Sequence, residues 1–221
     1  MISYNAEQQV ALSAINNSFV NSDGQVFILR GYAGTGKTTL MREVVCQYHK
    51  QWTITAMAPT GRAAHILGEK MLIGATTIHR GIYSFEDLMI RSDRADLADA
   101  EIKLVYPIRV LEIPTLVIVD EASMISNVYS EGELWTFGTN YLLNDLLTFV
   151  MSNRYSKVIF VGDNAQLPPV NEASSKALDP DFFAERGLKV QTATLSKVMR
   201  QDEGLILRNA TATRNALETN N

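Results

Sequence analysis

Gly31-Tyr-Ala-Gly-Thr-Gly-Lys37-Thr38 meets the pattern G-x-x-x-x-G-K-S/T in full. Residues of these types at this spacing hold a triphosphate. The glycines let backbone N–H groups close around phosphate oxygens. A helix opening at the end of the loop adds the positive end of its dipole. Lys37 then reaches the β- and γ-phosphates, and the Thr38 hydroxyl can ligate Mg²⁺. Gly31, Ala33, Gly34, Thr35, Gly36 and Thr39 complete the expected cradle. A chance glycine-rich turn would lack the right flanks. Here Val26–Arg30 reads as a short buried strand, and Thr38–Tyr48 reads as a helix with Leu40, Val44 and Val45 on one side.

A second acidic motif suits the same chemistry. The apolar, β-branched run Thr115–Val119 ends in Asp120-Glu121-Ala-Ser123. Carboxylates at the C-terminal end of a buried parallel strand stand where α/β sheets bind ligands. Asp120 is placed to hold Mg²⁺ through water. Glu121 is placed to orient or deprotonate an attacking water. Taken alone, the pair could equally cap the next helix. A third strand, Val158–Val161, runs into Gly162-Asp163-Asn-Ala-Gln166-Leu-Pro-Pro169. Gln166 is neutral and carries both donor and acceptor, so it can sense a γ-phosphate; an ordinary strand-to-loop exit is the alternative.

These residues need elements to position them. Residues 5–20 read as an amphipathic helix through Ala11, Leu12, Ile15 and Phe19, and Asn21–Gly24 as a turn. Further strands are expected at Thr53–Ala58, Thr115–Val119, Lys157–Val161 and Lys189–Thr194, with a helix over 138–152. Strands alternating with helices predict an α/β fold with a parallel sheet covered on both faces. Residues 81–113 break the rhythm and read as an insertion. Glu86–Glu101 is charge-rich and expected to be helical in part. Val105–Val110 is expected as an edge or hairpin strand, because Pro107 excludes a central position. A weakly apolar last helix is expected through Ile206, Ala210 and Leu217.

Bulk composition narrows the class. The 221 residues suit one domain with a full core, and 46% hydrophobic with 20% charged residues is a globular composition. The single cysteine, Cys46, excludes an internal disulfide and fits a reducing cytoplasm; it is expected in the core. There is no apolar run long enough to span a membrane, and the N-terminus does not read as a signal peptide. The net charge of −4 means that contact with nucleic acid must be local.

Six motifs in order, Gly31–Thr38, Ala58–Ala64, Thr76–Arg80, Asp120–Met124, Gly162–Val170 and Leu195–Gln201, resemble those of the superfamily 1 DNA helicases, nearest to the RecD-like group (exodeoxyribonuclease V alpha-subunit-like). The resemblance covers almost the whole chain. It implies a RecA-like P-loop ATPase domain with strand order 5-1-4-3-2, using ATP and Mg²⁺ and binding single-stranded DNA. It makes Gln8 an adenine-reading residue; by its chemistry alone Gln8 would be a solvated helix residue. It makes Arg200 an arginine that reaches the γ-phosphate across a domain cleft, although a lone arginine more often serves a surface ion pair. It gives Pro59, Thr60, Gly61, Arg62, Thr77, His79 and Arg80 as contacts to DNA. Thr60 and Thr77 can also be helix N-caps, and His79 a packed histidine. The insertion stands where the family carries a small strand-separating subdomain, but no motif there matches. Such helicases have two RecA-like domains, and too few residues follow Arg200 to form the second. That domain is expected in cis or from a partner subunit. A nucleotide- or DNA-binding module with little hydrolysis is one rival reading, and a small-molecule phosphotransferase is another.

Overall fold

The computed structural model describes residues 4–20, 25–92 and 102–199. Arg200, Gln201, the expected last helix, the turn Asn21–Gly24 and residues 93–101 lie outside them. The elements in chain order are α1 (Ala6–Val20), β1 (Val26–Gly31), α2 (Lys37–Tyr48), β2 (Thr53–Ala58), α3 (Gly61–Met71), β3 (Ala75–Thr77), α4 (Ile78–Ile82), β4 (Met89–Ser92), β5 (Ile102–Tyr106), β6 (Thr115–Val119), β7 (Trp135–Phe137), α5 (Leu142–Met151), β8 (Lys157–Gly162), α6 (Pro180–Ala184) and β9 (Val190–Leu195).

Six parallel strands form the main sheet in the order β3-β2-β6-β8-β1-β9. The five expected strands take the expected order, with the P-loop strand β1 separated from β6 by β8. The three-residue β3 adds an edge. The sheet is a RecA-like P-loop core. Its inner strands are buried on both faces, which is why they read as unbroken apolar runs: all five residues of β6 and all six of β8 are buried. Each such Val, Ile, Leu or Phe contributes about 1.5–3 kcal/mol of transfer free energy before entropy is set against it.

Helices cover both faces. Ala11, Ile15 and Phe19 of α1, Leu40 and Val44 of α2, and Leu67 and Met71 of α3 fill one core with Phe27, Leu29 and Ile159. Ile78 of α4, Leu143, Leu146 and Val150 of α5, and Phe183 of α6 fill the other with Ile28, Val119 and Phe160. Cys46 is exposed rather than in the core. The buried set of α2 is Leu40, Met41, Val44, Val45 and Tyr48, and at helical spacing the next two positions after Val45 turn toward water.

The inserted region departs from expectation. Within the charge-rich segment Met89–Ser92 is strand, paired antiparallel with Ile102–Tyr106, and the rest of the expected helical stretch, 93–101, lies outside the described residues. β5 pairs antiparallel with the preceding strand, as the hairpin alternative expected, but as the central strand of a second sheet, β4-β5-β7, it is not an edge. Pro107 does not disturb it, because the ladder ends at Tyr106 and the Pro107 carbonyl accepts the Ser84 N–H at 2.8 Å. The small sheet also recruits Trp135–Phe137, well beyond residue 113. The helix expected from 138 starts at Leu142, since Gly138 (φ 51°) and Asn140 (φ 64°) make a left-handed turn first.

Strand register brings the motifs to one rim. Arg30 pairs with Gly162 and Thr194, Met57 with Val119, Val119 with Phe160, and Ala58 with Thr77. The loops after β1, β2, β3, β6, β8 and β9 therefore leave the same C-terminal edge of the sheet, where ligands bind in α/β folds.

Candidate functional site

A cleft of about 790 Å³ opens at this rim, and Ala33, Gly34, Gly36, Lys37, Thr38, Thr39, Thr60, Arg62, Asp120, Glu121 and Gln166 line it. Four motifs far apart in sequence thus share one cavity. Arg42 of α2 and Lys70 of α3 join the lining, which the sequence motifs do not reveal. Four cations, Lys37, Arg42, Arg62 and Lys70, face two carboxylates there. The cleft is locally positive on a chain of net charge −4, as a polyanionic ligand requires.

The loop is shaped by its backbone. Gly34 (φ 82°) and Gly36 (φ 86°) both take the left-handed conformation, and Gly36 delivers the chain into α2 at Lys37. The Thr35 side chain is buried inside the loop and its hydroxyl donates to the Tyr32 carbonyl at 2.9 Å. The Lys37 ammonium curls over the loop and donates to the carbonyls of Gly31 (2.5 Å) and Tyr32 (3.0 Å). Gly31 and Thr35 therefore shape the loop from behind rather than line the cleft.

Gln8 lies beside the loop but is occupied by the protein. It is only 4% exposed. Its Oε1 accepts the Asn5 N–H (3.0 Å), while its own N–H donates to Asn5 Oδ1 (2.9 Å). This is a reciprocal capping box at the start of α1. Its Nε2 donates to the Thr35 carbonyl at 3.1 Å. Gln8 is thus a tie between α1 and the P-loop. The Asn-x-x-Gln spacing was the signal that could have found it.

On the acidic side, the Asp120 carboxylate accepts the Glu121 N–H at 3.0 Å. Burial pushes its pKa up, and the Glu121 N–H together with the nearby Lys37 and Lys70 partly offset that rise. Glu121 itself is left-handed (φ 52°, ψ 40°), which costs a non-glycine residue about 1–2 kcal/mol. Gln166 accepts the Ser123 hydroxyl proton at 3.0 Å, so the second and third motifs are joined. Asp163 Oδ1 accepts the Ala165 N–H at 2.9 Å, turning the chain so that Gln166 reaches the cleft.

The residues read as DNA contacts divide. Thr60 and Thr77 are both N-caps, accepting the N–H groups of Ala63 and Arg80. Thr60 and Arg62 border the cleft, Pro59 and Thr77 stand at the ends of β2 and β3 on the same rim, and Arg80 lines a separate groove with Thr53, Thr55 and Met57. The His79 residue is exposed, yet its ring packs on Tyr83 and Phe137 (centroids 5.7 and 5.4 Å), and loss of water on that side lowers its pKa. Phe137 is part of β7, so this rim is braced by the small sheet. The brace centres on Asp145, which is fully buried and accepts from the Tyr83 hydroxyl (2.7 Å), the Thr139 hydroxyl (2.5 Å) and the Thr139 N–H. Among the described residues no helix is long and apolar enough to cross a membrane.

Comparison with known proteins agrees with this geometry. An AAA domain family matches residues 3–219. An uncharacterised protein of Methanocaldococcus jannaschii is 31% identical over 220 residues, which are 92% of this chain and 16% of that protein. The RecBCD enzyme subunit RecD of Buchnera aphidicola is 25% identical over 204 residues, 87% of this chain and 30% of the subunit. The chain thus spans less than a third of the curated relatives it matches. In fold it is similar to the Bacteroides Pif1 structure bound to single-stranded DNA, with a TM-score of 0.56 and 21% identity over 98% of this chain and 47% of that one. The Bacteroides Pif1 structure in complex with ADP-AlF4 gives a TM-score of 0.54 and 22% identity, with the same coverage.

Proposed function

Because the chain belongs to this AAA domain family and is a RecD/Pif1-like superfamily 1 motor domain, we propose that it binds Mg·ATP and hydrolyses it to drive movement on single-stranded DNA, 5′ to 3′ in its full form. One observation carries the reading: Lys37, Thr38, Asp120, Glu121 and Gln166 line a single cleft. The donor set suits Mg²⁺. Thr38 and Asp120 offer two hard oxygens, and the described residues hold no cluster of three His, Cys, Asp or Glu that would cage a metal alone. Mg²⁺ takes one or two protein oxygens and completes its shell with water and phosphate. When bound, the ion would offset charge on the β- and γ-phosphates.

The chain's own groups do the rest in this proposal. Lys37 leaves the carbonyls of Gly31 and Tyr32 for the β- and γ-phosphate oxygens. Glu121, held at the cleft by its left-handed backbone, orients the attacking water and takes its proton. Gln166, joined to Ser123, contacts the γ-phosphate and relays its presence along the rim. Arg200 stabilises the charge that develops on the transferring phosphoryl group. Gln8 acts beside the adenine through the position of the loop it holds. Pro59–Arg62 and Thr77–Arg80 take phosphates of single-stranded DNA, and a second RecA-like domain, in cis or from a partner subunit, closes the cleft.

Single-turnover ATP hydrolysis with and without single-stranded DNA tests this. The expected result is Mg²⁺-dependent hydrolysis that DNA accelerates. Nucleotide binding with no hydrolysis in either condition would make the chain a binding module; hydrolysis indifferent to DNA would favour phosphoryl transfer to another acceptor.

A further inference from the structure

α2 and α3 both begin at the rim, at Lys37 and Gly61, and pack against each other below it. Side chains on a helix lean toward its N-terminus, so those of α2 and α3 lean toward the cleft. Arg42 follows Thr38 by about one turn on the same face of α2. Lys70 follows Arg62 by about two turns of α3, with Ile66 between them. All five side chains line the cleft, together with Ala63 and Leu67. The acids beside the two deeper cations are taken elsewhere. Glu43, next to Arg42, accepts the Tyr4 hydroxyl at 2.8 Å and the Gln47 amide at 3.1 Å. Glu69, next to Lys70, faces His65 at 3.6 Å. Among the described residues, Arg42 and Lys70 enter no ion pair and donate no side-chain hydrogen bond. The chain has 24 Asp and Glu against 20 Lys and Arg, so two cations left without an acid in one groove go against its balance. Lys70 also acts on the catalytic side of the cleft: with Lys37 it opposes the rise in the Asp120 pKa.

We propose that this α2–α3 arm of the cleft is an anion subsite distinct from the phosphate loop, in which Arg42 and Lys70 hold inorganic phosphate, the product of ATP hydrolysis, after it separates from ADP. The proposal rests on the nucleotide reading above. The loop's own donors, its backbone N–H groups and Lys37, serve the β-phosphate that stays behind. Orthophosphate formed beside it is repelled by the ADP and by the carboxylates of Asp120 and Glu121. The α2–α3 side offers two cations with open donors. The planar guanidinium of Arg42 takes two phosphate oxygens at once, and the ammonium of Lys70 adds a flexible point charge. Both residues are exposed, so phosphate gains charge-assisted bonds there without burial of an ion pair. Such a site holds the anion weakly enough to release it, as a product must be released. A DNA strand is the poorer fit, because the groove runs down between two helices, away from the rim rather than along it.

The test titrates inorganic phosphate into the full chain loaded with saturating Mg·ADP, followed by amide NMR shifts at constant ionic strength, since added phosphate also screens charge. The same titration is run on Arg42→Ala, Lys70→Ala and the charge-keeping Lys70→Arg. Affinities for ADP, ATP and a single-stranded oligonucleotide are measured for each protein. The ADP-loaded wild type is expected to bind phosphate with a Kd on the order of 1 mM. Each alanine variant is expected to weaken that about tenfold, the scale of one charge-assisted hydrogen bond, with ADP affinity within about twofold of wild type. Lys70→Arg is expected to stay within about threefold of wild type. No phosphate binding by the ADP-loaded wild type at about 20 mM overturns the proposal. So does wild-type phosphate affinity in both alanine variants, or an equal loss of ADP and phosphate, which would make the two cations part of the general field of the nucleotide site. A loss confined to ATP assigns them to the γ-phosphate, and a loss confined to the oligonucleotide assigns them to DNA; either result also overturns it. A wild type that binds no ADP sinks the nucleotide reading. Phosphate titrated into the apo proteins then still decides the subsite: binding that both alanine variants weaken supports it, and binding that neither weakens, or none at all, overturns it.

Discussion

Replacing Gln8 with alanine separates two accounts of this residue. The family resemblance makes Gln8 a reader of adenine, whereas the structure makes it a buried tie. The substitution removes the Oε1 acceptor for Asn5 N–H and the Nε2 donor to Thr35 O. Each hydrogen bond contributes about 0.5–1.5 kcal/mol net, and a buried carbonyl left without its donor costs about 1–3 kcal/mol. The helix keeps the Asn5 side-chain cap, so that part is not lost. The total comes to about 2–4 kcal/mol. In a domain of this size 1 kcal/mol shifts Tm by about 2–4 °C, so the apo protein should melt about 5–15 °C lower. Thermal denaturation without nucleotide, read by circular dichroism, measures it. An unchanged apo Tm together with a collapse of ATP affinity would refute the reasoning and return Gln8 to adenine reading alone.

Other perturbations follow from the same contacts. Gly36→Ala places a Cβ 2.5 Å from Gln8 Nε2 at a backbone φ of 86°; loss of at least about 1–2 kcal/mol and about tenfold weaker ATP binding are expected, read by urea unfolding and nucleotide titration. Asp120→Asn should raise apo stability at neutral pH while abolishing Mg²⁺-dependent ATP turnover. Burial lifts the Asp120 pKa in the folded chain, so its stabilising contribution is full below the unfolded carboxylate pKa and is lost as pH rises through the folded one. The variant's advantage in Tm should therefore shrink on acidification, and a constant advantage across pH would count against the cause given. Asp145→Ala leaves the Tyr83 hydroxyl and both Thr139 donors without their acceptor. A loss of about 3–5 kcal/mol is expected, and limited proteolysis should show the small sheet detached from the rim.

What the sequence disclosed depended on how each signal is encoded. The inner strands were legible because burial on both faces writes them as apolar runs, as in Leu116–Val119. The phosphate loop was legible because glycine at Gly34 and Gly36 answers a local backbone demand. The second sheet was not legible: Met89–Ser92 and Trp135–Phe137 are short, and their partners lie far along the chain. Pro107 does stay out of the ladder, but the strand was placed across and after it rather than before it, because composition cannot tell on which side of a proline a strand lies. Cys46 was misplaced because residue type was weighed above helix phase. Within the site, Arg42 and Lys70 are ordinary basic residues on helices, and only the packing of α2 against α3 turns them into the cleft. Ser123 is also invisible alone, since its partner is 43 residues away.

The central claim is that Lys37 and Glu121 serve one bound triphosphate in different ways. Its most direct test is Mg·ATP binding and single-turnover hydrolysis measured side by side for the wild type, Lys37→Ala and Glu121→Gln. Lys37→Ala should bind at least about a hundredfold more weakly, as the loss of a charge-assisted contact to phosphate implies. Glu121→Gln should bind as the wild type does and hydrolyse at least about a hundredfold more slowly, the scale of a lost general base. Wild-type hydrolysis in Glu121→Gln, or undiminished ATP binding in Lys37→Ala, would contradict the account.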